Sequence, residues 1–196
     1  GALSHSKRKA IRKERREVAA TGVELVTLRG DELDAAHWDA FFGFYMATAD
    51  RKWGRPYLNR GFFARLHETM RDRVALVMGR HAGDWVAGAL NLVGADALHG
   101  RNWGATADFK HLHFEACYYR AIDYAIAHGI ARVEAGAQGE HKLQRGYLPT
   151  RTFSAHWIRD EGFRAAVDDF LGRETRAVED AIAELEQHSP FRTVIG

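Results

Sequence analysis

The tightest constraint on the fold is a change of hydrophobic period at Val74. Val74-Ala-Leu-Val-Met78 and Trp85–Val93 read as strands, and Arg80-His-Ala-Gly-Asp84 between them is a hairpin signal. A third run, Ala97-Leu-His-Gly-Arg-Asn-Trp103, follows the turn Gly94-Ala-Asp96. Three strands with connections this short predict an antiparallel meander. Arg101, Trp103 and Gly104 close it, where the chain leaves the sheet.

Helical periods flank the meander. Ser4 to Ala20 reads as a helix, with Ser4 or Ser6 as cap and Gly22 as its end. Val23–Leu28 reads as a strand. Asp31 is placed to cap a helix running to about Asp50, with Leu33, Trp38, Phe41, Phe42 and Tyr45 on its buried face. Residues 52–58 form a loop broken by Gly54 and Pro56, and it carries Trp53 and Tyr57 as candidate acceptor contacts. Asn59 caps the next helix, to about Met70, with Phe62, Phe63, Leu66 and Met70 inward. Asp108–His128 is the central helix, with Phe114, Cys117, Tyr118, Ala121, Ile122 and Ala125 in one stripe and Gly129 as its C-terminal cap. Cys117 therefore reads as a buried structural thiol. Residues 131–135 and Arg151–Ile158 read as strands. Asp160 to about His188 is a long helix whose stripe is Phe163, Val167, Phe170, Leu171, Val178, Ile182 and Leu185. The order predicts an α+β chain: one mixed, mainly antiparallel sheet with helices packed on it.

At 196 residues the chain is expected to form one domain over residues 23–196, preceded by a basic helix or linker over residues 1–22. The 28 Lys and Arg nearly balance the 26 Asp and Glu, so overall charge points to no nucleic-acid binder. The charge is local instead: Lys7, Arg8, Lys9, Arg12, Lys13, Arg15 and Arg16 crowd one helix. That helix reads either as a solvated linker or as a contact for tRNA or an anionic membrane surface. A lone Cys117 excludes an internal disulfide and fits a reducing compartment. No run is long and apolar enough to span a bilayer. The expected location is the cytoplasm, with the inner membrane surface as a variant of it. The start at Gly1-Ala2, without Met, reads as a processed chain or a piece of a longer one. The 11 histidines do not imply a metal. His111-x-His113-x-Glu115 on a helix points its alternate residues to different sides.

The densest chemistry lies in Glu134–Pro149, between two predicted strands. Gly136, Gly139 and Gly146 let the backbone turn tightly and approach a ligand. Glu140, His141, Lys142 and Arg145 stand among them. Cations and backbone N–H groups in such a loop suit an anionic group or a developing oxyanion. The plainer alternative is a polar surface connection.

Several stretches, taken together and in order, resemble one family: 52–58 (Lys-Trp-Gly-Arg-Pro-Tyr-Leu), 100–104 (Gly-Arg-Asn-Trp-Gly), 112–119, 136–142 (Gly-Ala-Gln-Gly-Glu-His-Lys), 145–149 (Arg-Gly-Tyr-Leu-Pro) and 154–157 (Ser-Ala-His-Trp). These are similar to the FemAB-like predicted N-acyltransferases of the GNAT superfamily, often labelled peptidoglycan biosynthesis or recognition proteins. The resemblance covers nearly the whole chain and identifies it as the C-terminal part of such a protein. It implies a GNAT-like (acyl-CoA N-acyltransferase) fold. It also implies transfer of an acyl or aminoacyl group to an amine, on a peptidoglycan or other cell-envelope precursor. The alternative is a non-catalytic GNAT-like module binding a cell-wall or peptidyl ligand. Fem relatives use aminoacyl-tRNA and other GNAT members use acyl-CoA, so either is the expected co-substrate, with no tightly bound cofactor. The pyrophosphate signature for acetyl-CoA is not found before the central helix; Trp103–Asp108 comes nearest and lacks it.

Lys142 partly matches the lysine of the Fem-type Phe-Lys-x-x-Phe motif, with His141 in place of the preceding aromatic. Lys142 is the expected oxyanion or phosphate contact and Arg145 a second anion contact. Glu140, His141 and Glu115 are the alternative bases. Gly136, Gln138, Gly139, Gly146, Arg101, Trp103, Trp53 and Tyr57 complete the expected substrate- or donor-binding set, and the expected acceptor is a small molecule or a peptidyl group. His156, two residues from Ser154, reads as a packed histidine. A covalent route through Cys117 ranks last, for want of a group to ionise it.

Overall fold

The structure, a computed structural model, describes residues 2–51, 56–136 and 139–192. It divides into two compact units, residues 9–138 and residues 1–8 with 139–196.

The first unit holds one sheet in the order β1-β2-β3-β4-β5. Its strands are Glu24–Arg29, Val74–His81, Asp84–Val93, Ala97–Ala105 and Arg132–Glu134. The first three pairings are antiparallel, and β4 pairs with β5 in parallel. This is the mixed, mainly antiparallel α+β layout expected from the sequence. β2 is buried at six successive positions, because helices cover both faces of the sheet. On one face lie α2, Ala35–Arg51, and α3, Arg60–Met70. There Trp38, Phe41, Phe44, Phe63 and Leu66 pack on Leu76, Met78 and Leu90. Each such side chain contributes about 1.5–3 kcal/mol on burial. On the other face lie α4, Leu112–Phe114, a π-turn over Glu115–Tyr119, and α5, Arg120–Ala127. Ala116 meets Val77 and Ala89, and Ala121 meets Ala75 and Leu98. The end of α1, His5–Ala19, joins this side through Val18, which packs with Ala87, Ala105 and Leu112.

Two glycines set how closely α2 approaches the sheet. Gly88 of β3 and Gly104 of β4 are cross-strand partners. A Cβ on Gly104 would lie 2.2 Å from the Phe44 carbonyl oxygen, and one on Gly88 would lie 2.7 Å from the Phe41 ring. The pair forms a trough in which the α2 backbone rests.

Several expectations need correction. Asp31 does not cap α2. It lies in a 3-10 turn, Gly30–Glu32, and pairs with Arg71 at 3.0 Å. Asp34 is the cap: its Oδ1 accepts the His37 N–H at 2.9 Å. That bond, aided by the His37 side chain, holds the Asp34 carboxyl below the usual carboxylate range. Asp34→Ala is expected to cost about 1 kcal/mol at neutral pH. The contribution is complete above about pH 4 and is lost as pH falls through the lowered pKa. Chemical unfolding at neutral and strongly acid pH measures both.

The central helix begins at Leu112, not Asp108, because His111 adopts a left-handed φ of 65°. The π-turn adds a residue to the turn. Glu115 and Ala116 become buried, while Cys117 is only half-buried. Of the α3 residues expected inward, Phe63 and Leu66 are buried but Phe62 and Met70 are exposed.

In the second unit the chain ends run side by side. Ser4 N–H donates to Pro190 O at 2.9 Å, Arg192 N–H donates to Ala2 O at 3.1 Å, and Leu3 bridges Phe191. Asp160 caps α6, Glu161–Gln187, by accepting the Phe163 N–H at 2.7 Å. The stripe of α6 is present but uncovered: none of its 27 residues is buried, and Phe163, Phe170, Leu171 and Val178 are exposed. Arg151–Ile158 forms no strand, and Phe153 and Trp157 are 91% and 79% exposed. Alternation had suggested one, but a strand needs a ladder partner, and the described residues of this unit contain no other strand. His156 and Ser154 do share a side, with Nε2 3.0 Å from Oγ. Phe170→Ser is expected to change stability by less than about 0.5 kcal/mol, despite the loss of an aromatic ring. Thermal unfolding of the variant tests this.

Candidate functional site

The predicted site residues fall in both units. In the first, Arg101 owes its position to a β-bulge. Leu90 pairs with Asn102 and Asn91 pairs with Gly100, which leaves Arg101 as the extra residue of β4. Bulges re-aim side chains in this way. Asn91, opposite the bulge, is buried and donates to Ala75 O at 3.1 Å and Ala89 O at 3.3 Å. The Arg101 guanidinium lies over the Tyr57 ring, 5.9 Å from its centroid. Tyr57 is itself fixed, since its N–H and that of Leu58 donate to the Tyr45 hydroxyl at 3.1 and 3.2 Å. The structure thus brings together two residues singled out separately in the sequence.

Trp103, two residues along β4, borders a cleft of about 390 Å³ lined also by Thr48, Asp108, Phe109, Leu112 and His113. The His113 ring sits 5.3 Å from that of Trp103 and 5.4 Å from that of Tyr118. Thr48, Asp108 and His113 were not anticipated here. Asp108 and His113 stood in the sequence as parts of a single helix, and the displaced start of that helix is what brings them to a cleft.

Glu115 is 4% exposed and held by two cations. Its Oε1 lies 3.0 Å from Arg15 and 3.4 Å from Arg120. Arg15 also pairs with Asp123 at 2.7 Å. Partial burial pulls the Arg15 pKa down, but the hydrogen bond to Asp123 and the charges of Glu115 and Asp123 outweigh it and raise the pKa. Glu115 thereby anchors α1 to the π-turn. The basic helix is not uniformly solvated: Arg15 is committed here, Lys13 pairs with Glu17 at 3.7 Å, and Lys9, Arg12 and Arg16 are exposed. On the neighbouring edge His99 of β4 pairs with Glu134 of β5 at 3.1 Å. Gly136 follows β5 with φ 73°.

In the second unit, residues 140–145 form a single 3-10 helix, capped by Gly139 at φ 103° and by left-handed Gly146 at φ 94°. Positive φ at both ends favours glycine. Their N–H and C=O groups close the turn: Lys142 N–H donates to Gly139 O and Gly146 N–H to Leu143 O, each at 3.0 Å. The turn carries His141, Lys142 and Arg145 together. Arg145 is 8% exposed and its Nη1 donates to His141 O at 2.8 Å, so its guanidinium braces the turn. Burial, and then the charges of Arg145 and Lys142, push the His141 imidazole below the ordinary histidine range. That shift favours the neutral imidazole. Leu143 anchors the turn, and Lys7 donates to the Gln144 side chain. Trp53, Gln138 and the side chain of Glu140 lie outside the described residues.

Among the described residues no group of three His, Cys, Asp or Glu is placed to hold a metal ion. No described helix is long and apolar enough to cross a membrane.

Solved structures with a limited similarity of chain course include three acetyltransferases. The ribosomal-protein-alanine N-acetyltransferase of Brucella melitensis biovar Abortus 2308 is 15% identical, with 70% of this chain and 99% of that chain covered and a TM-score of 0.41. An acetyltransferase of Trypanosoma brucei is 13% identical, with 70% and 99% covered and a TM-score of 0.45. An aminoglycoside N-acetyltransferase in complex with CoA is 11% identical, with 70% and 95% covered and a TM-score of 0.47. None of the curated proteins compared with this chain matches it. The FemAB-like family, described as peptidoglycan biosynthesis/recognition, matches over residues 1–193, and the chain belongs to that family.

Proposed function

We propose that this chain is an N-acyltransferase that moves an acyl or aminoacyl group to an amine of a peptidoglycan or other cell-envelope precursor. The observation that carries the reading is the 3-10 turn at 140–145. It holds an imidazole and two cations within six residues. Acyl transfer to an amine needs a proton acceptor and a stabilised oxyanion. His141 takes the proton as the amine nitrogen bonds to the acyl carbon. Lys142 donates to the oxyanion that forms. The bond to the donor's sulfur or oxygen then breaks, and the leaving group collects a proton. Arg145 keeps the turn in shape and adds positive potential. Glu140 is the second choice for base, while Glu115 serves as an anchor, given its two arginine partners.

Family membership supports the cell-envelope acceptor, whether a small molecule or a peptidyl amine. The donor is acyl-CoA or aminoacyl-tRNA, both found in the cytoplasm, which we take as the working location. Lys9, Arg12, Lys13 and Arg16, all exposed, support contact with a polyanion such as tRNA or the inner membrane surface. Residues 1–22 would then serve as a contact segment for an acyltransferase domain over 23–196.

The deciding experiment supplies the purified chain with each donor in turn and with amine-bearing cell-envelope peptides. Consumption of either donor with acylated product supports the reading. Failure of both donors with every acceptor overturns it. In parallel, reversing Arg12, Lys13 and Arg16 to Glu is expected to weaken tRNA or anionic-vesicle binding at least tenfold at low salt. Folding should be unchanged. Binding that ignores both salt and the reversal would return this helix to a solvated linker.

A further inference from the structure

α6 is amphipathic over its whole length. Phe163, Val167, Phe170, Val178, Ile182 and Leu185 recur at three- and four-residue steps, with Glu174 filling the one gap. Residues so spaced share one face of a helix. None of the 27 residues is buried; Phe163, Phe170 and Val178 are exposed, and Val167, Ile182 and Leu185 are half-buried. Most helices in proteins owe their stability to the packing of such a face rather than to intrinsic propensity. α6 lacks a second usual support as well. Its last turn carries no cation. Glu184 and Glu186 stand there instead, where the helix dipole disfavours anions.

The charges of α6 decide what suits this face. Three arginines stand against eight Asp and Glu, so the flanks of the stripe repel an anionic membrane surface or a nucleic acid. The charges are also sorted along the helix. Arg164, Arg173 and Arg176 all precede Ala177, together with four of the acids. Glu179, Asp180, Glu184 and Glu186 follow it, with no cation among them. Two copies laid parallel set these four carboxylates against their own equivalents. Laid antiparallel, the acidic end of each copy runs along the arginine-bearing part of the other. It also lies beside the other's helix N-terminus, which favours anions. Pairs within one copy do not stand in the way. Arg173 pairs with Asp169 at 2.7 Å, Arg164 with Glu161 at 3.7 Å and Arg151 with Glu179 at 3.2 Å. All three are exposed, and exposed pairs are weak enough to exchange partners.

We propose that α6 is a self-association surface, on which a second copy of this chain pairs antiparallel through the apolar stripe. A two-fold axis near the helix midpoint sets Phe163 of one copy toward Leu185 of the other, Val167 toward Ile182, and Phe170 toward Val178. The two Glu174 side chains meet near the axis and weaken the pairing. A helix of 27 residues is about 40 Å long, and a seam about 10–12 Å wide covers roughly 1,000 Å² between two copies. That is the lower limit for a specific interface, so the dimer is weak and reversible, with a Kd on the order of 10–100 μM. The pairing is independent of the acyltransferase reading.

Sedimentation equilibrium of the whole chain, from about 1 μM to about 1 mM, brackets that Kd. The average mass is expected to rise across this range from 22.1 kDa toward twice that value. Phe163→Ser combined with Phe170→Ser should raise the Kd about tenfold or more. Both residues are exposed in the monomer, so the variant keeps its fold. Glu174→Leu should lower the Kd about tenfold, a gain that separates loss of pairing from loss of fold. Ile126→Ser, which removes an equally exposed apolar side chain from α5, should leave the Kd unchanged. Direction is read by pulsed electron spin resonance from a label on Gln187→Cys in a Cys117→Ser background. Antiparallel pairing holds the two labels roughly 40 Å apart, and parallel pairing roughly 10 Å apart. A chain that stays monomeric throughout the range, whether or not it binds anionic vesicles, overturns the proposal. So does a dimer whose Kd ignores the two serine substitutions, and labels at the shorter distance overturn the antiparallel arrangement.

Discussion

Gly104→Ala is expected to be the most destructive conservative substitution in the sheet. The added methyl would sit 2.2 Å from the Phe44 carbonyl oxygen and 2.3 Å from its carbonyl carbon. Carbon atoms in van der Waals contact stand about 3.5–4.0 Å apart. The obstacle is helix backbone, so no side-chain rotation relieves it, and α2 must retreat by more than an ångström. That retreat opens the interface of Phe41, Phe44 and Phe63 with Leu76, Met78 and Leu90. The expected cost is above about 3 kcal/mol, the upper end for overpacking. A loss this large would lower Tm by roughly 6 °C or more. Gly88→Ala is the internal control. Its methyl meets the Phe41 ring edge at 2.7 Å, and a ring can tilt. Its expected cost is about 1–3 kcal/mol. Denaturant unfolding of the two variants settles the order, and a Gly104→Ala protein as stable as wild type would show that α2 is not seated as described.

The meander was legible because every signal agreed. The strands alternate or run apolar, and turn residues fall between them at short spacing. The Gly88–Gly104 trough was not, since each glycine alone is an ordinary strand glycine, and only the register of β3 and β4 makes them partners. The π-turn was hidden for a related reason. Helical spacing projects residues on a uniform period, and the π-turn at Glu115–Tyr119 departs from it locally: Cys117 is half-buried, while Tyr118, Ala121 and Ala125 stay inward. Glu115 is buried at the start of that turn, where Arg120 and, a hundred positions earlier in the chain, Arg15 pair with it. No local pattern carries such a contact. α6 illustrates a different limit: period identifies which face is apolar, not whether anything covers it. In the site, the 3-10 turn was readable from the glycines at both ends and the cations between them. Asp108 was not, because it borders a cleft only once the central helix starts at Leu112.

The largest effect on activity is expected at the 3-10 turn. Lys142→Ala should lower kcat by about 10²–10³-fold, the usual loss for one oxyanion donor. The protein should stay folded, since Lys142 is half-buried in a turn closed by backbone bonds and anchored by Leu143. His141→Gln should lower kcat/KM by about 10²–10⁴-fold and remove its acid limb. In the wild type that limb should fall below the ordinary histidine pKa of about 6.5, because burial and the two neighbouring cations disfavour the imidazolium. Removing one cation by Lys142→Gln should move the His141 titration, followed by proton NMR, upward. It should stop short of the ordinary value, since burial remains. Stability follows the same sign. Folded His141 binds its proton less tightly than the unfolded chain does, so the unfolded state protonates first as pH falls. The stability due to the neutral imidazole is complete above about pH 6.5 and declines as pH drops toward the folded pKa. A Lys142→Ala enzyme with normal turnover would remove this turn from the mechanism. A His141→Gln enzyme that keeps the acid limb of its pH–rate profile would remove the imidazole as the base and pass that role to Glu140.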